Sequence, residues 1–275
     1  LELIQSLGYT RLYGPDIPRD YRNPLYETDL LPALQKINPQ KPQAAITEAI
    51  TKLRHIDAST LIHKNIIATD YLQNGIPVKY HDTEERSDLI QLIDYHNPDN
   101  NTFTVINQWT VVDNAEKRPD IVIFVNGIPI IVIELKSPSR ENTDISEAYL
   151  QLRNYLHDIP SLFTYNALCI MSDQATSKAG TITAHEDRYM EWKTTDGNYE
   201  TTRHAAFDIL FEGILQKHRL IDILKNFICY SRTENNDTKI LAAYHQYFAV
   251  KKAVQSTITA SQTDGKGGVF WHTQG

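Results

Sequence analysis

Cysteine is scarce in this chain: Cys169 and Cys229 are its only two. Both stand in apolar runs, and two thiols cannot build a disulfide framework or a cysteine-held zinc site. Reduced, buried thiols in the cytoplasm are the expectation. Long hydrophobic runs are missing as well. No stretch approaches the roughly 20 apolar residues of a membrane span, and no signal-peptide pattern is visible, so no membrane association is expected. Positive charge is in deficit, with 27 Lys and Arg against 34 Asp and Glu and a formal net charge of −7. That excludes a protein gripping nucleic acid by a broad basic surface, though not a domain to which a basic neighbour delivers it. His63, His81 and His96 lack metal-ligand spacing, and nothing reads as a major-groove recognition module.

What is present is an ordinary globular composition, 41% hydrophobic and 22% charged, which is enough to bury a sizeable core. The length of 275 residues suggests one large domain, 1–230, and part of a second, 231–275, parted at the polar stretch SRTENNDT. The chain opens on a helical pattern without an initiator methionine or an N-cap, so something is expected to precede it.

The organising stretch is Lys117 to Ser137, KRPDIVIFVNGIPIIVIELKS. Two runs rich in β-branched residues flank Asn126-Gly127, which predicts an antiparallel hairpin. Apolar residues on both faces place it centrally in a covered sheet. Three charges interrupt it: Asp120, Glu134 and Lys136. Glu134 and Lys136 share a face because strand side chains alternate. A two-residue loop would set Asp120 opposite Ile133, on the wrong face for Glu134. A three-residue loop, a type I turn with a bulge and a left-handed Gly127, sets Asp120 directly opposite Glu134. The expectation is the second.

Two carboxylates close together at a strand end repel unless a cation lies between them, and hard oxygen ligands with water positions to spare suit Mg²⁺. A neighbouring ammonium can orient a water and stabilise a phosphorane-like transition state. Phosphodiester hydrolysis is the chemistry this trio predicts. The bland alternative is three solvated strand-end charges.

Pro119-Asp120 followed by Glu134-Leu135-Lys136 resembles the PD-(D/E)xK nuclease motif. The longer string RPDIVIFVNGIPIIVIELK is similar to the N-terminal nuclease region of the type I restriction enzyme R subunit, which combines endonuclease and motor. That family carries a QxxxY motif on the next helix, matched here by Gln151 and Tyr155. The resemblance implies an α/β, restriction-endonuclease-like αβββαβ core with a mixed sheet flanked by helices. It implies that Asp120 and Glu134 bind Mg²⁺, with Mn²⁺ as a substitute, that Lys136 is catalytic, and that Gln151 and Tyr155 support the site or contact double-stranded DNA. It further implies a type I site-specific deoxyribonuclease that assembles with methyltransferase (M) and specificity (S) subunits and cleaves after ATP-driven translocation.

Around this centre, Asp29–Lys36 and Gln43–His55 read as amphipathic helices, and Pro77–His81, Arg86–Tyr95 and Phe103–Val112 as strands. Asp144 and Glu147 resemble a capping box for the helix bearing Gln151 and Tyr155. Ala167–Met171 is the strand after a crossover. Ser172–Ala184 reads as a connection, Tyr189–Lys193 as an edge strand, and His204–Lys217 and Leu220–Tyr230 as apolar helices. Glu2, on an early helix, is a weak further acid for the site. Near the C-terminus YHQYFAVKKAV resembles the adenine-reading Q motif, which makes Gln246 a nucleotide candidate. GGVFWHTQG resembles the strand and first half of a Walker A loop. The lysine and hydroxyl that grip phosphate and Mg²⁺ would follow Gly275, so ATP is expected only with the full-length protein.

Two other readings compete: a repair or recombination nuclease of the same fold, and a catalytically silent docking module for a motor. The motor-like C-terminal segment disfavours the first, and the intact acid, acid, lysine set disfavours the second.

Overall fold

The computed structural model describes residues 1–81, 85–136, 145–173, 175–198, 206–233, 236–263 and 265–269. The chain opens with α1 (Glu2–Ser6), β1 (Thr10–Tyr13), α2 (Glu27–Ile37), α3 (Gln43–Arg54) and α4 (Leu61–Asn74). A ribbon of β2 (Ile76–His81) and β3 (Glu85–Ile90) follows, then β4 (Phe103–Asn107) and the short β5 (Val111–Val112) and β6 (Glu116–Lys117). The central hairpin is β7 (Ile121–Val125) and β8 (Ile128–Leu135). After it come α5 (Ile145–Asp158), α6 (Pro160–Phe163), β9 (Leu168–Ser172) and β10 (Ser177–Gly180). The chain ends through α7 (Ala206–Leu215), α8 (Lys217–Asn226), β11 (Ile228–Arg232), β12 (Asp237–Leu241) and α9 (Tyr244–Ser261).

Six strands form one mixed sheet in the order β1-β4-β7-β8-β9-β10. β8 and β9 run parallel, which requires a crossover, and α5 supplies it. The βββαβ part of the expected core is therefore β4, β7, β8, α5 and β9. Odd-numbered residues of β7, with Ile131 and Ile133, pack under the helices of the N-terminal region, while Val122, Phe124 and Val132 pack under α5 and α6. By alternation Asp120 and Glu134 fall on the α5 face. That places the helix carrying Gln151 and Tyr155 directly over them.

The hairpin has the expected register but reaches it differently. Asn126 and Gly127 both have positive φ, 52° and 76°, so the turn is the tight two-residue kind that Asn-Gly favours. Near it Val125 pairs with Ile128 and Phe124 with Pro129, yet beyond it Ile123 pairs with Ile131 and Ile121 with Ile133. The extra residue is Ile130, a bulge inside β8 rather than at Gly127. Gly127 is left-handed as expected, and a Cβ there would lie 2.4 Å from the Tyr26 carbonyl oxygen, so the turn tucks under the start of α2.

Other expectations shift for physical reasons. Phe103–Val112 is not one strand, because Gln108 turns left-handed at φ 59° and breaks it. Helix α4 went unread because its buried face includes the polar Asn65 and Thr69, which disguise its period. Within Ser172–Ala184 lies β10, paired with β9. Residues 189–193 contribute one bridge, Met190 to Ala179, instead of a strand. Within the polar stretch, Ser231 pairs with Thr238 and Arg232 with Asp237, at the far end of a ribbon. Asp144 of the expected capping box lies outside the described residues, as do residues 270–275 of the Walker-like segment.

Candidate active site

Asp120 enters β7 and Glu134 leaves β8, so continuing the Ile121–Ile133 register sets them opposite each other. Asp120 is fastened at three points. Its Oδ2 accepts the Leu135 N–H at 3.0 Å, its Oδ1 accepts the Gln108 side-chain amide at 3.3 Å, and its carbonyl accepts the Gln108 N–H at 2.9 Å. Glu134 is only 4% exposed. Its Oε1 accepts from Lys136 Nζ at 3.0 Å and its Oε2 from the Tyr155 hydroxyl at 3.2 Å. Lys136 in turn is anchored through its N–H, which donates to the Ser172 carbonyl of β9 at 2.8 Å.

Burial and then the Asp120 charge hold the Glu134 carboxyl above the usual glutamate range, while Lys136 and Tyr155 pull the other way. Tyr155 is buried, and burial followed by the Glu134 charge raises its phenol; a hydrogen bond with Gln151 opposes that rise. The five residues expected at the site, Asp120, Glu134, Lys136, Gln151 and Tyr155, are thus brought together. Tyr155 belongs to the buried stripe of α5, with Ala148 and Leu152, rather than to a polar face.

Gln108 was not expected. It holds Asp120 by main chain and side chain from a left-handed backbone that non-glycine residues adopt at a cost. Gly14 makes room for it, since a Cβ on Gly14 would lie 2.3 Å from the Gln108 carbonyl oxygen. The sequence signal was slight: Asn107-Gln108, two amides interrupting an apolar run.

Glu2 is exposed on α1, which precedes β1 at the sheet end near the hairpin turn, because Thr10 pairs with Thr104 and Thr104 with Phe124. The site lies at the opposite end of the sheet, where β7 begins and β8 ends. Gln246 sits in the first turn of α9, where its Oε1 accepts the Ala243 N–H at 2.9 Å and caps the helix.

The donor set suits a hard divalent ion. Among the described residues no group of three or more His, Cys, Asp or Glu could enclose a metal. Two opposed carboxylates, with Lys136 reaching one oxygen of Glu134, are instead the kind of sparse oxygen set that Mg²⁺ takes when water and phosphate complete its shell.

A mixed sheet with a parallel crossover, bearing two acids and a lysine at the end of its central hairpin, defines an α/β restriction-endonuclease-like fold. The chain belongs to the family described as type I restriction enzyme R protein N terminus, whose model matches residues 1–188. It is similar along its whole length to the type I restriction enzyme HindI endonuclease subunit of Haemophilus influenzae, at 34% identity over 292 aligned residues. It is also similar along its whole length to the putative type I restriction enzyme MjaIXP endonuclease subunit of Methanocaldococcus jannaschii, at 29% identity over 308. The chain spans 28% and 29% of the lengths of those two relatives.

Proposed function

We propose that this chain is the Mg²⁺-dependent endonuclease domain of a type I restriction-modification R subunit, hydrolysing phosphodiester bonds of double-stranded DNA. The observation that carries this reading is the convergence of Asp120, Glu134, Lys136, Gln151 and Tyr155 at one strand end. Family membership and the names of the two relatives support it.

Asp120 and Glu134 hold the ion, and Mn²⁺ substitutes for Mg²⁺. When bound, the ion supplies Lewis acidity toward a phosphate oxygen and toward water. Lys136, fixed by its main chain and partly open to solvent, aims its ammonium at the charge that develops on the phosphate oxygens. Tyr155 keeps the Glu134 carboxylate oriented, and Gln151 keeps the Tyr155 hydroxyl in place. Loss of an outer partner of this kind typically costs about 10–100-fold in metal affinity or activity.

The wider assignment follows from the same reading. M and S subunits supply the recognition sequence, a motor beyond these residues drives translocation with ATP, and Gln246 contacts the adenine in the full-length protein, which works in the cytoplasm. The test is Lys136→Ala in the full-length subunit within the assembled complex. DNA cleavage should be lost and ATP hydrolysis retained, because the substitution touches phosphodiester chemistry alone. Joint loss of both activities contradicts the proposal.

A further inference from the structure

The register that brings Asp120 opposite Glu134 depends on one bulged residue, Ile130. Ile130 has no partner on β7, so its carbonyl must be satisfied elsewhere. It accepts the Ala167 N–H at 2.7 Å, and the Asn166 side-chain amide approaches it at 3.4 Å. These contacts lie where β9 begins. Five residues further along the same strand, the Ser172 carbonyl takes the Lys136 N–H.

Asn166 shapes the turn that delivers Ala167. Its Nδ2 also donates to the Leu168 carbonyl at 2.8 Å, and its own carbonyl accepts from Asn65 Nδ2 at 2.9 Å and from Lys239 Nζ at 2.6 Å. Asn65 and Asn166 are fully buried, and Lys239 is 2% exposed. Among the described residues Lys239 has no carboxylate partner; its second acceptor is Asn65 Oδ1 at 2.9 Å. Its main chain is gripped too, the N–H by Thr183 Oγ1 and the carbonyl by Thr181 Oγ1, both at 2.9 Å. A lysine buried without a counter-ion is costly, and the cost is tolerated where the amine fills a defined set of acceptors. Burial pushes its amine down to about 7.

Lys239 lies on β12, past the family-matched residues 1–188, in the ribbon that leads directly into α9. We infer that Asn166, pegged by Lys239 from this ribbon, is a positioning residue for the site: the peg holds the turn that captures the Ile130 carbonyl, and that capture keeps Asp120 across from Glu134. As a statement about the metal site, this rests on the proposed nuclease reading.

The test uses the whole chain with Asn166→Ala and with Lys239→Met. In Lys239→Met the vacated acceptors keep other donors, since Asn65 Oδ1 still accepts from Tyr230 and the Asn166 carbonyl from Asn65. Two quantities are read: contacts between labelled Ile121 and Ile133 methyl groups by NMR, and Mn²⁺ affinity without nucleotide, with Asp120→Ala as the zero. Asn166→Ala should weaken the Ile121–Ile133 contact in favour of Val132 and lower Mn²⁺ affinity about tenfold, with Lys239→Met changing both in the same direction by less. A role confined to stability would lower the melting temperature and leave both quantities unchanged in the folded protein, and that result overturns the inference. If Asn166→Ala does not fold, Lys239→Met decides by the same two readings. If the unaltered chain binds Mn²⁺ no better than Asp120→Ala, the nuclease reading fails separately, and the methyl contacts alone decide the positioning role.

Discussion

Glu134 concentrates the chemistry of the site in one carboxyl group, because burial and the opposing Asp120 both resist its charge. Its folded-state affinity for a proton is raised, so protonated Glu134 persists to a higher pH than in the unfolded chain, and ionising it costs folding stability as pH rises through that window. A ¹³C titration of Glu134 should therefore move to lower pH in Asp120→Asn, which removes the like charge, and in the presence of saturating Mg²⁺. An unchanged titration would mean that the two acids do not share a site. Gln108 offers a second test. Gln108→Gly relieves a left-handed backbone, so stability should rise or hold, within about 1 kcal/mol by urea unfolding, while Mn²⁺ binding weakens as Asp120 loses its side-chain partner. Asp120, Glu134 and Lys136 were legible in the sequence because charges closing an apolar hairpin demand a cause. Gln108 was not, because nothing local announces a glutamine with positive φ.

At the scale of elements, the hairpin was legible from Asn126-Gly127 and the β-branched runs, but the bulge was not. A tight turn and a bulge at Ile130 produce the same pairing of Ile121 with Ile133 as the wider loop expected from the sequence; the two differ only nearer the turn, where Val125 pairs with Ile128 and Phe124 with Pro129. Helix α4 shows the opposite limit. Asn65 faces inward because it satisfies three carbonyls, those of Phe163, Thr164 and Asn166, so a polar residue occupies a core position and spoils the hydrophobic period. The turn supplies the stability prediction. Gly127→Ala adds a methyl where the Tyr26 carbonyl and the Leu30 amide already lie within 3 Å, in a left-handed backbone. The loss should be on the order of 2 kcal/mol or more by urea unfolding; a loss well under 1 kcal/mol would show that the turn is not held under α2.

For the molecule as a whole, the net charge of −7 implies that this chain alone holds DNA weakly. A dissociation constant weaker than about 1 μM at physiological salt is expected from fluorescence anisotropy, with tighter binding only in the assembled complex. The ribbon of β11 and β12 is tied through Lys239 to Asn65 of α4 and to Asn166 before β9, an attachment hidden in the sequence by its polar composition. Because burial lowers that amine to about 7, the unfolded chain binds more protons than the folded one between there and the ordinary lysine range, and folding stability gains as pH rises through that window. From pH 7 to 9 the unaltered chain should gain more stability than Lys239→Met; equal gains would indicate a solvated amine. The proposed chemistry needs an acid from each arm of the central hairpin to meet at one divalent ion. A crystal soaked in Mn²⁺ tests this most directly: an anomalous peak about 2.1 Å from a carboxylate oxygen of both Asp120 and Glu134 is the expected result, and saturating Mn²⁺ with no peak between them would contradict it.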